Sequence, residues 1–321
     1  MKKFIVFWMA IAMCTGTVMA QQPDTLIRKL DSLNYKADSA GGQINNTSPR
    51  AYNEVTQFTP SSFLILQWSN LKQSFTKPFH MTGQDWVKLG KFAVVLGAAS
   101  LIDEPLQRQA LDLREHNRGL RVVSTQVTNF GGPYEGYTLA ALGAYGFIFN
   151  NKKMQTTTLL AVQSYITGAA VESALKFLSG RQRPYVVNPK QVEAEPTFHG
   201  PFVTMRDAQG NKLNSSFPSG HTTVAFAAAT VYAMEYKDRP WVPVFAYTAA
   251  SLIGLSRITQ NAHWATDVIA GAALGYLTGR QVVNNYHRYA KLKAPKQPRN
   301  SVSFSLGYSN GQLMPSMVYR F

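Results

Sequence analysis

The sequence is poor in cysteine, in acidic side chains and in long apolar runs, and each shortage closes off a class of function. Its one cysteine is Cys14. That residue sits in a start with the layout of a secretory signal: Lys2 and Lys3 give a charged beginning, Phe4 to Met13 is apolar, and Val18-Met19-Ala20 ends on a small residue before Gln21-Gln22. The expected cleavage follows Ala20, with an uncleaved anchor as the alternative. Met13 does not suit a lipidated cysteine at position 14. Cleavage removes the only thiol, so disulfides and thiol chemistry drop out of the mature chain. Asp and Glu number 17 against 32 Lys and Arg, a formal net charge of +15. Such an excess favours anionic partners: phosphorylated metabolites, anionic lipid head groups or nucleic acid. The basic residues form no run and no aromatic-plus-basic repeat, which sets nucleic acid aside. Uncharged stretches are mostly shorter than the roughly 20 residues of a membrane span. Mean hydropathy is −0.14. The balance favours a soluble or peripheral bundle over a polytopic membrane protein, although short helices carrying catalytic residues at their ends also suit a membrane enzyme.

What is present points to helices. At 45% hydrophobic the chain can bury a substantial core. Residues 1–20 are read as signal and 21–60 as a polar linker, with Gly41-Gly42 and Asn45 to Pro49 as breakers. Residues 61–84 form a short connecting segment in which the apolar run Phe63 to Trp68 is a candidate strand. A helical domain is expected over 85–290. Its first core helix is placed at Asp85 to Leu106, where Trp86, Leu89, Phe92, Ala93, Leu96 and Ala99 recur at helical spacing. After the breaker Gly131-Gly132-Pro133, further helices are expected over Tyr137–Phe149, Thr156–Leu178 (ended by Gly180), Thr222–Tyr236, Val242–Leu255 and Ala265–Val283. The fold class is therefore all-α, a bundle of about six core helices. Residues 185–216 are irregular, and a loop of that length in a domain is usually functional or disordered. Residues 291–321 change character. Val302, Phe304, Leu306 and Tyr308 alternate with small residues, Ser309-Asn310-Gly311 suits a turn, and Met317, Tyr319 and Phe321 alternate again. This is a small C-terminal β-hairpin. It packs on the bundle or, on the strength of its terminal aromatic residue, docks at an outer membrane.

The chemistry-bearing residues fall in three clusters between Lys176 and Asp267. Lys176 precedes Arg183-Pro184, Pro218-Ser219-Gly220-His221 opens a helix, and Ser256-Arg257 precedes His263 and Asp267. Three cations, a glycine beside a hydroxyl and two histidines suit a tetrahedral oxyanion better than a metal ion. A helix N-terminus offers free backbone N–H groups and the positive end of its dipole. Gly220 lets an anion approach that backbone and Ser219 adds a hydroxyl, a ready oxyanion cradle. Taken alone, Ser219 is an ordinary helix cap. His263 and Asp267, four apart, share a helical face, so the carboxylate can accept the Nδ1 proton and leave Nε2 free to attack. Such a pair alone is more often structural, and Glu172, Lys176 and Arg183 alone read as surface charges.

In combination, Lys-x6-Arg-Pro, Pro-Ser-Gly-His and Ser-Arg-x5-His-x3-Asp resemble the phosphatidic acid phosphatase type 2 superfamily. That superfamily also contains bacterial class A acid phosphatases and vanadium haloperoxidases. The resemblance covers roughly Asp85 to Tyr289 and all three signatures are complete. It implies that His263 is the nucleophile and forms a phosphohistidine, that Asp267 orients it, and that His221 protonates the leaving group and then activates water. Lys176, Arg183 and Arg257 would bind the phosphoryl oxygens, with Ser219 and the Gly220 N–H completing the cradle. Arg181, beside the first signature, is either a further phosphate or head-group contact or simply exposed. His199 either lines the entrance or is solvated, and His80, His116 and His287 show no supporting partners in sequence.

The expected activity is that of a metal-independent phosphatase of the cell envelope, needing no cofactor and acting on a phosphomonoester or pyrophosphate. The substrate is a phosphorylated lipid (phosphatidate, polyprenyl pyrophosphate or lipid A type), favoured by the basic balance and the apolar helices, or a small soluble phosphoester. Vanadate is expected as an inhibitor. A vanadium haloperoxidase, with vanadate as cofactor, and a non-catalytic envelope interaction protein are the readings from other classes. The intact His263, Asp267 and His221 weigh against the last.

Overall fold

The computed structural model describes residues 59–293, 301–309 and 312–320. The expected signal segment and all but the last two residues of the polar linker lie outside them, as do Asn310, Gly311 and Phe321. Among the described residues there are nine α-helices, which we number α1 (Pro60–Thr76), α2 (Gly83–Ser100), α3 (Asp103–His116), α4 (Arg118–Phe130), α5 (Pro133–Ile148), α6 (Lys152–Ser179), α7 (Gly220–Glu235), α8 (Trp241–Thr259) and α9 (Ala265–Lys293). Two strands follow, β1 (Ser301–Ser309) and β2 (Gln312–Arg320). They pair antiparallel with Ser301 opposite Arg320 and Ser309 opposite Gln312, as the alternation predicts.

Two sequence expectations need correction. The run Phe63 to Trp68 is not a strand: it lies inside α1. Thr59 and Ser62 form a reciprocal capping box and Pro60 occupies the first helical turn, both strong helix starters. Because α1 hydrogen-bonds to α6 (Gln67 Nε2 to Thr167 Oγ1 at 3.1 Å, Gln163 Nε2 to the Phe63 carbonyl at 2.8 Å), the helical domain begins near residue 60, not 85. The expected helix over Asp85–Leu106 is two helices, broken at Leu101-Ile102, and α2 buries none of its residues. With α3 and α4 also present, the bundle has more helices than the six expected.

Helix α7 packs on α6, α8 and α9. Small residues make this possible, since Gly271, Gly275 and Gly279 of α9 face the backbone of α7. A Cβ at Gly271 would lie 2.6 Å from the Ser219 carbonyl oxygen, and one at Gly279 would lie 2.5 Å from that of Ala227. The apolar core lies along these contacts and includes Leu160, Ala161, Val231, Val282 and Val283. Much of the outside is apolar as well. Trp86, Val87, Phe92, Val94 and Val95 on α2, Phe147 and Ile148 on α5, and Trp241, Val244 and Phe245 on α8 are exposed. By length and composition α8 could cross a membrane. Polar side chains meanwhile fill interior positions, among them Asn70, Gln107, Thr157, Gln163 and Thr167.

Candidate active site

The long connection between α6 and α7 folds back over the ends of both helices. Helix α6 ends on Gly180 in the left-handed conformation (φ 52°), with the Gly180 N–H donating to the Lys176 carbonyl at 3.1 Å. A Cβ there would run into the Gly200 carbonyl, so glycine is required twice over. Beyond it the irregular segment is tied down. The N–H groups of Gln182 and Arg183 donate to the carbonyls of Thr197 (3.0 Å) and Leu213 (2.9 Å), and the Ser216 N–H donates to that of Arg181 (2.9 Å). The Glu193 carboxylate accepts the N–H groups of Val187 (2.5 Å) and Asn188 (2.8 Å).

This folding brings the sequence-predicted residues together. His263 lies between α8 and α9, 1% exposed, with Lys176, Arg183, Arg257 and His221 in electrostatic reach. Arg183 is anchored beside it by donating from Nη1 to the Ala262 carbonyl at 3.2 Å. Arg257 Nη1 donates to Thr128 Oγ1 at 2.7 Å. Lys176 pairs with Glu172 one turn earlier on α6. The Lys176 ammonium closes on Gly220, where an added Cβ would lie 3.2 Å from Nζ.

The serine at the start of α7 does not behave as an ordinary cap. Ser219 is fully buried, its side chain caps no N–H of the first turn, and its oxygen instead accepts the Thr222 hydroxyl at 2.9 Å. The first-turn N–H groups thus have no side-chain cap, which is the arrangement an anion needs. The Ser219 N–H donates to the Asp267 carbonyl at 3.0 Å and ties this cradle to α9. The His221 ring lies under the α4–α5 corner, where a Cβ at Gly132 would sit 3.1 Å from its Nε2. Sequence reading took Gly131-Gly132-Pro133 only as a breaker. Its second role, leaving room for an imidazole, has no local signature.

Asp267 reaches His263 by a less direct route than the four-residue spacing suggests. Its carboxylate is 3.6 Å from His263 Nδ1. Nδ1 instead lies 2.7 Å from the Ser216 backbone carbonyl, which can only accept, so Nδ1 carries the proton and Nε2 keeps its lone pair. Asp267 accepts from the Ser216 hydroxyl at 2.5 Å, from the Trp264 N–H at 2.9 Å and from Arg181 Nη1 at 2.5 Å. Its bonds thus go to the segments that flank the imidazole rather than to the ring. Arg181 is not exposed: it is 1% exposed and its guanidinium bridges Asp267 to Asp103 on α3. His199 rests on Gln182 Oε1 at 3.2 Å and Thr197 Oγ1 at 3.3 Å. His287 has a partner that sequence did not show, Glu235 Oε1 at 2.7 Å.

Burial, followed by the positive charges of Arg183, Arg257 and Lys176, holds the His263 pKa well below the ordinary histidine value. A lowered pKa means the neutral imidazole prevails at every pH above that lowered value, so this side chain is a free base at neutral and mildly acid pH. We expect the His263 signal in a ¹⁵N histidine titration, assigned with His263→Asn, to stay in the neutral form from pH 8 down through the ordinary value of about 6.5. A midpoint at or above that value would show that the surrounding cations do not act on it.

Residues 157–290 match the family model of the PAP2 superfamily. The chain is 56% identical over 66 residues to a lipid A 1-phosphatase of Porphyromonas gingivalis, a match covering 20% of this chain and 15% of that protein. It is 29% identical over 177 residues to lipid phosphate phosphatase 1 of Arabidopsis thaliana, covering 47% and 53%. It is 26% identical over 193 residues to phosphatidylglycerophosphatase B of Bacillus subtilis, covering 58% and 83%. The chain thus spans about half or less of the length of the first two of these relatives.

Proposed function

We propose, from the premise that residues 157–290 form a PAP2 superfamily domain, that this chain is an envelope lipid phosphatase working through a phosphohistidine. The observation that carries the proposal is the convergence of three cations and an uncapped helix N-terminus on a buried imidazole whose Nδ1 is already committed to a carbonyl. In this mechanism the Nε2 lone pair attacks phosphorus, the bond from phosphorus to the leaving oxygen breaks, and that oxygen takes a proton from His221. Burial, then Arg257, Lys176 and Arg183, lower the His221 pKa to about 3 in the free site, so the proton it gives must be taken up with the substrate, whose phosphoryl charge offsets those cations. His221, now neutral, removes a proton from water. The resulting hydroxide attacks phosphorus, the P–N bond breaks, its electron pair returns to Nε2, and inorganic phosphate leaves. Lys176, Arg183, Arg257, Ser219 and the Gly220 N–H stabilise the charge on the equatorial oxygens. These cations take the electrostatic role a metal ion has in other phosphatases, so we propose turnover without one.

A lipid substrate is favoured by the exposed apolar faces of α2, α5 and α8, which would lie against acyl chains. Polar side chains inside, and glycines where α7 and α9 meet, are what a bundle in lipid uses in place of an apolar interior. The relatives named for lipid A, lipid phosphates and phosphatidylglycerophosphate support the same substrate class.

The test is phosphate release by the full chain in detergent and in vesicles, with phosphatidate, undecaprenyl pyrophosphate, lipid A and p-nitrophenyl phosphate, with and without chelator. Release from at least one lipid at a rate above the soluble ester, unchanged by chelator, is expected. Equal or faster release from p-nitrophenyl phosphate would make the protein a soluble-ester phosphatase. No release at all, with halide oxidation in vanadate, would make it a haloperoxidase.

A further inference from the structure

The signatures that carry the chemistry leave one buried charge cluster unexplained. Arg181, Asp103 and Thr266 lie behind the reactive histidine, each no more than 2% exposed. Asp103 comes from α3, before the part of the chain that matches the family model. Arg181 Nη2 donates to Asp103 Oδ2 at 2.7 Å, while Nη1 donates to Asp267 Oδ1 at 2.5 Å and to Thr266 Oγ1 at 2.7 Å. The other Asp103 oxygen accepts the Thr266 N–H at 3.0 Å, and the Thr266 hydroxyl also donates to Asp103. Asp103 thus caps α9 from another helix, at the turn that carries Asp267. The guanidinium is sandwiched as well, 4.9 Å from the Phe198 ring and 5.8 Å from that of Trp264.

We propose that Asp103 and Arg181 are positioning residues, forming a buried ion-pair relay that fixes the Asp267 carboxylate and, through Ser216, aims His263 at the phosphoryl group. The route is continuous. Asp103 holds Arg181, Arg181 holds one oxygen of Asp267, the other oxygen holds the Ser216 hydroxyl, and the Ser216 carbonyl holds Nδ1–H of His263. The charges matter alongside the geometry. Burial raises the pKa of both carboxyl groups and Arg181 and their hydrogen-bond donors oppose it; with both ionised, two carboxylates and one guanidinium leave one negative charge beside an imidazole that becomes cationic when Nε2 bonds to phosphorus. That charge is fully desolvated, so it favours the cationic state more than an exposed carboxylate would. A planar, forked cation is needed to reach both carboxylates and Thr266 at once, which a lysine ammonium cannot do in the same plane.

This inference rests on the phosphatase reading, and the test separates the two. Asp103→Asn, Arg181→Lys and Ser216→Ala are compared with the full wild-type chain and with His263→Ala on the best lipid substrate, and each rate is normalised to folded protein. We expect Asp103→Asn and Arg181→Lys to lower kcat by about 10- to 100-fold with KM within about twofold, because the anion cradle is untouched. Combined with Asp267→Asn, Asp103→Asn should add little further loss, since both cut one relay. A purely structural role would instead lower the melting temperature and leave kcat of the folded fraction unchanged, and that result overturns the proposal. Should either charge variant fail to fold, Ser216→Ala, which removes the hydroxyl linking Asp267 to the segment that holds His263 and keeps the backbone carbonyl, decides: a wild-type kcat overturns the relay, and a fall in kcat at unchanged KM supports it. A wild-type chain that releases no phosphate overturns the underlying phosphatase reading, whatever the variants do.

Discussion

Replacing His263 with alanine is expected to end phosphate release, a loss of roughly 10⁴-fold or more, because in the proposed mechanism its Nε2 forms the covalent intermediate. The assignment depends on geometry that a second substitution can separate from folding. His263 is buried and its Nδ1–H satisfies the Ser216 carbonyl. Alanine leaves that carbonyl unpaired, which costs about 1–3 kcal/mol of stability. Asparagine can return an N–H to the same carbonyl and keep most of the fold, yet it offers no nucleophile. Both variants should therefore be inactive, with His263→Asn the closer to wild type in melting temperature. Rapid quench of the wild type with ³²P-labelled lipid should trap an acid-labile, base-stable phosphoenzyme that neither variant forms. Turnover near wild type in either variant would remove His263 from the chemistry. Inactivity in alanine alone would make it a packing residue.

The three signatures were readable in the sequence because each is local and the resemblance they carry is specific. Their placement at the ends of α6 and α8 and the starts of α7 and α9 followed from ordinary helix punctuation such as Gly180. What could not be read was of two kinds. Asp103 meets Arg181 across 78 positions and Thr266 across 163, and contacts so far apart leave no period or spacing in the chain. Helix α2 failed differently. Its apolar positions do recur at helical spacing, but periodicity identifies an apolar face without saying what covers it. Trp86, Leu89 and Phe92 face outward, so a stripe read as core lies on the surface of the bundle. The helix over Phe63 to Trp68 does have a local signature. A six-residue apolar run is ambiguous by period, and the capping pair Thr59 and Ser62 with Pro60 between them was there to decide it.

Gly275→Val is expected to damage both stability and turnover, and the reason lies in how the site is assembled. The proposed nucleophile and the anion cradle belong to different helices, His263 just before α9 with Asp267 in its first turn, Ser219 and Gly220 at the start of α7. They come together because α9 presents glycine every fourth residue to the α7 backbone. A Cβ at Gly275 would overlap the Thr223 carbonyl oxygen and lie 2.8 Å from the Phe226 Cβ and 2.9 Å from the Ala227 nitrogen. Two of these neighbours are backbone atoms and cannot turn aside, so the helices themselves must part. Overpacking of this kind costs about 1–3 kcal/mol, sometimes more. The separation also strains the bond from the Ser219 N–H to the Asp267 carbonyl and draws the cradle away from Nε2. A misplacement of about 1 Å can lower a rate about 10²-fold. Gly97→Val is the control, since Gly97 lies mid-helix in α2 with nothing within 4 Å of an added Cβ. It should change the melting temperature little and leave kcat at the wild-type value. If Gly275→Val matches Gly97→Val in both measurements, α7 and α9 are not in backbone contact, and the positioning of the cradle must come from the loop over 180–219 instead.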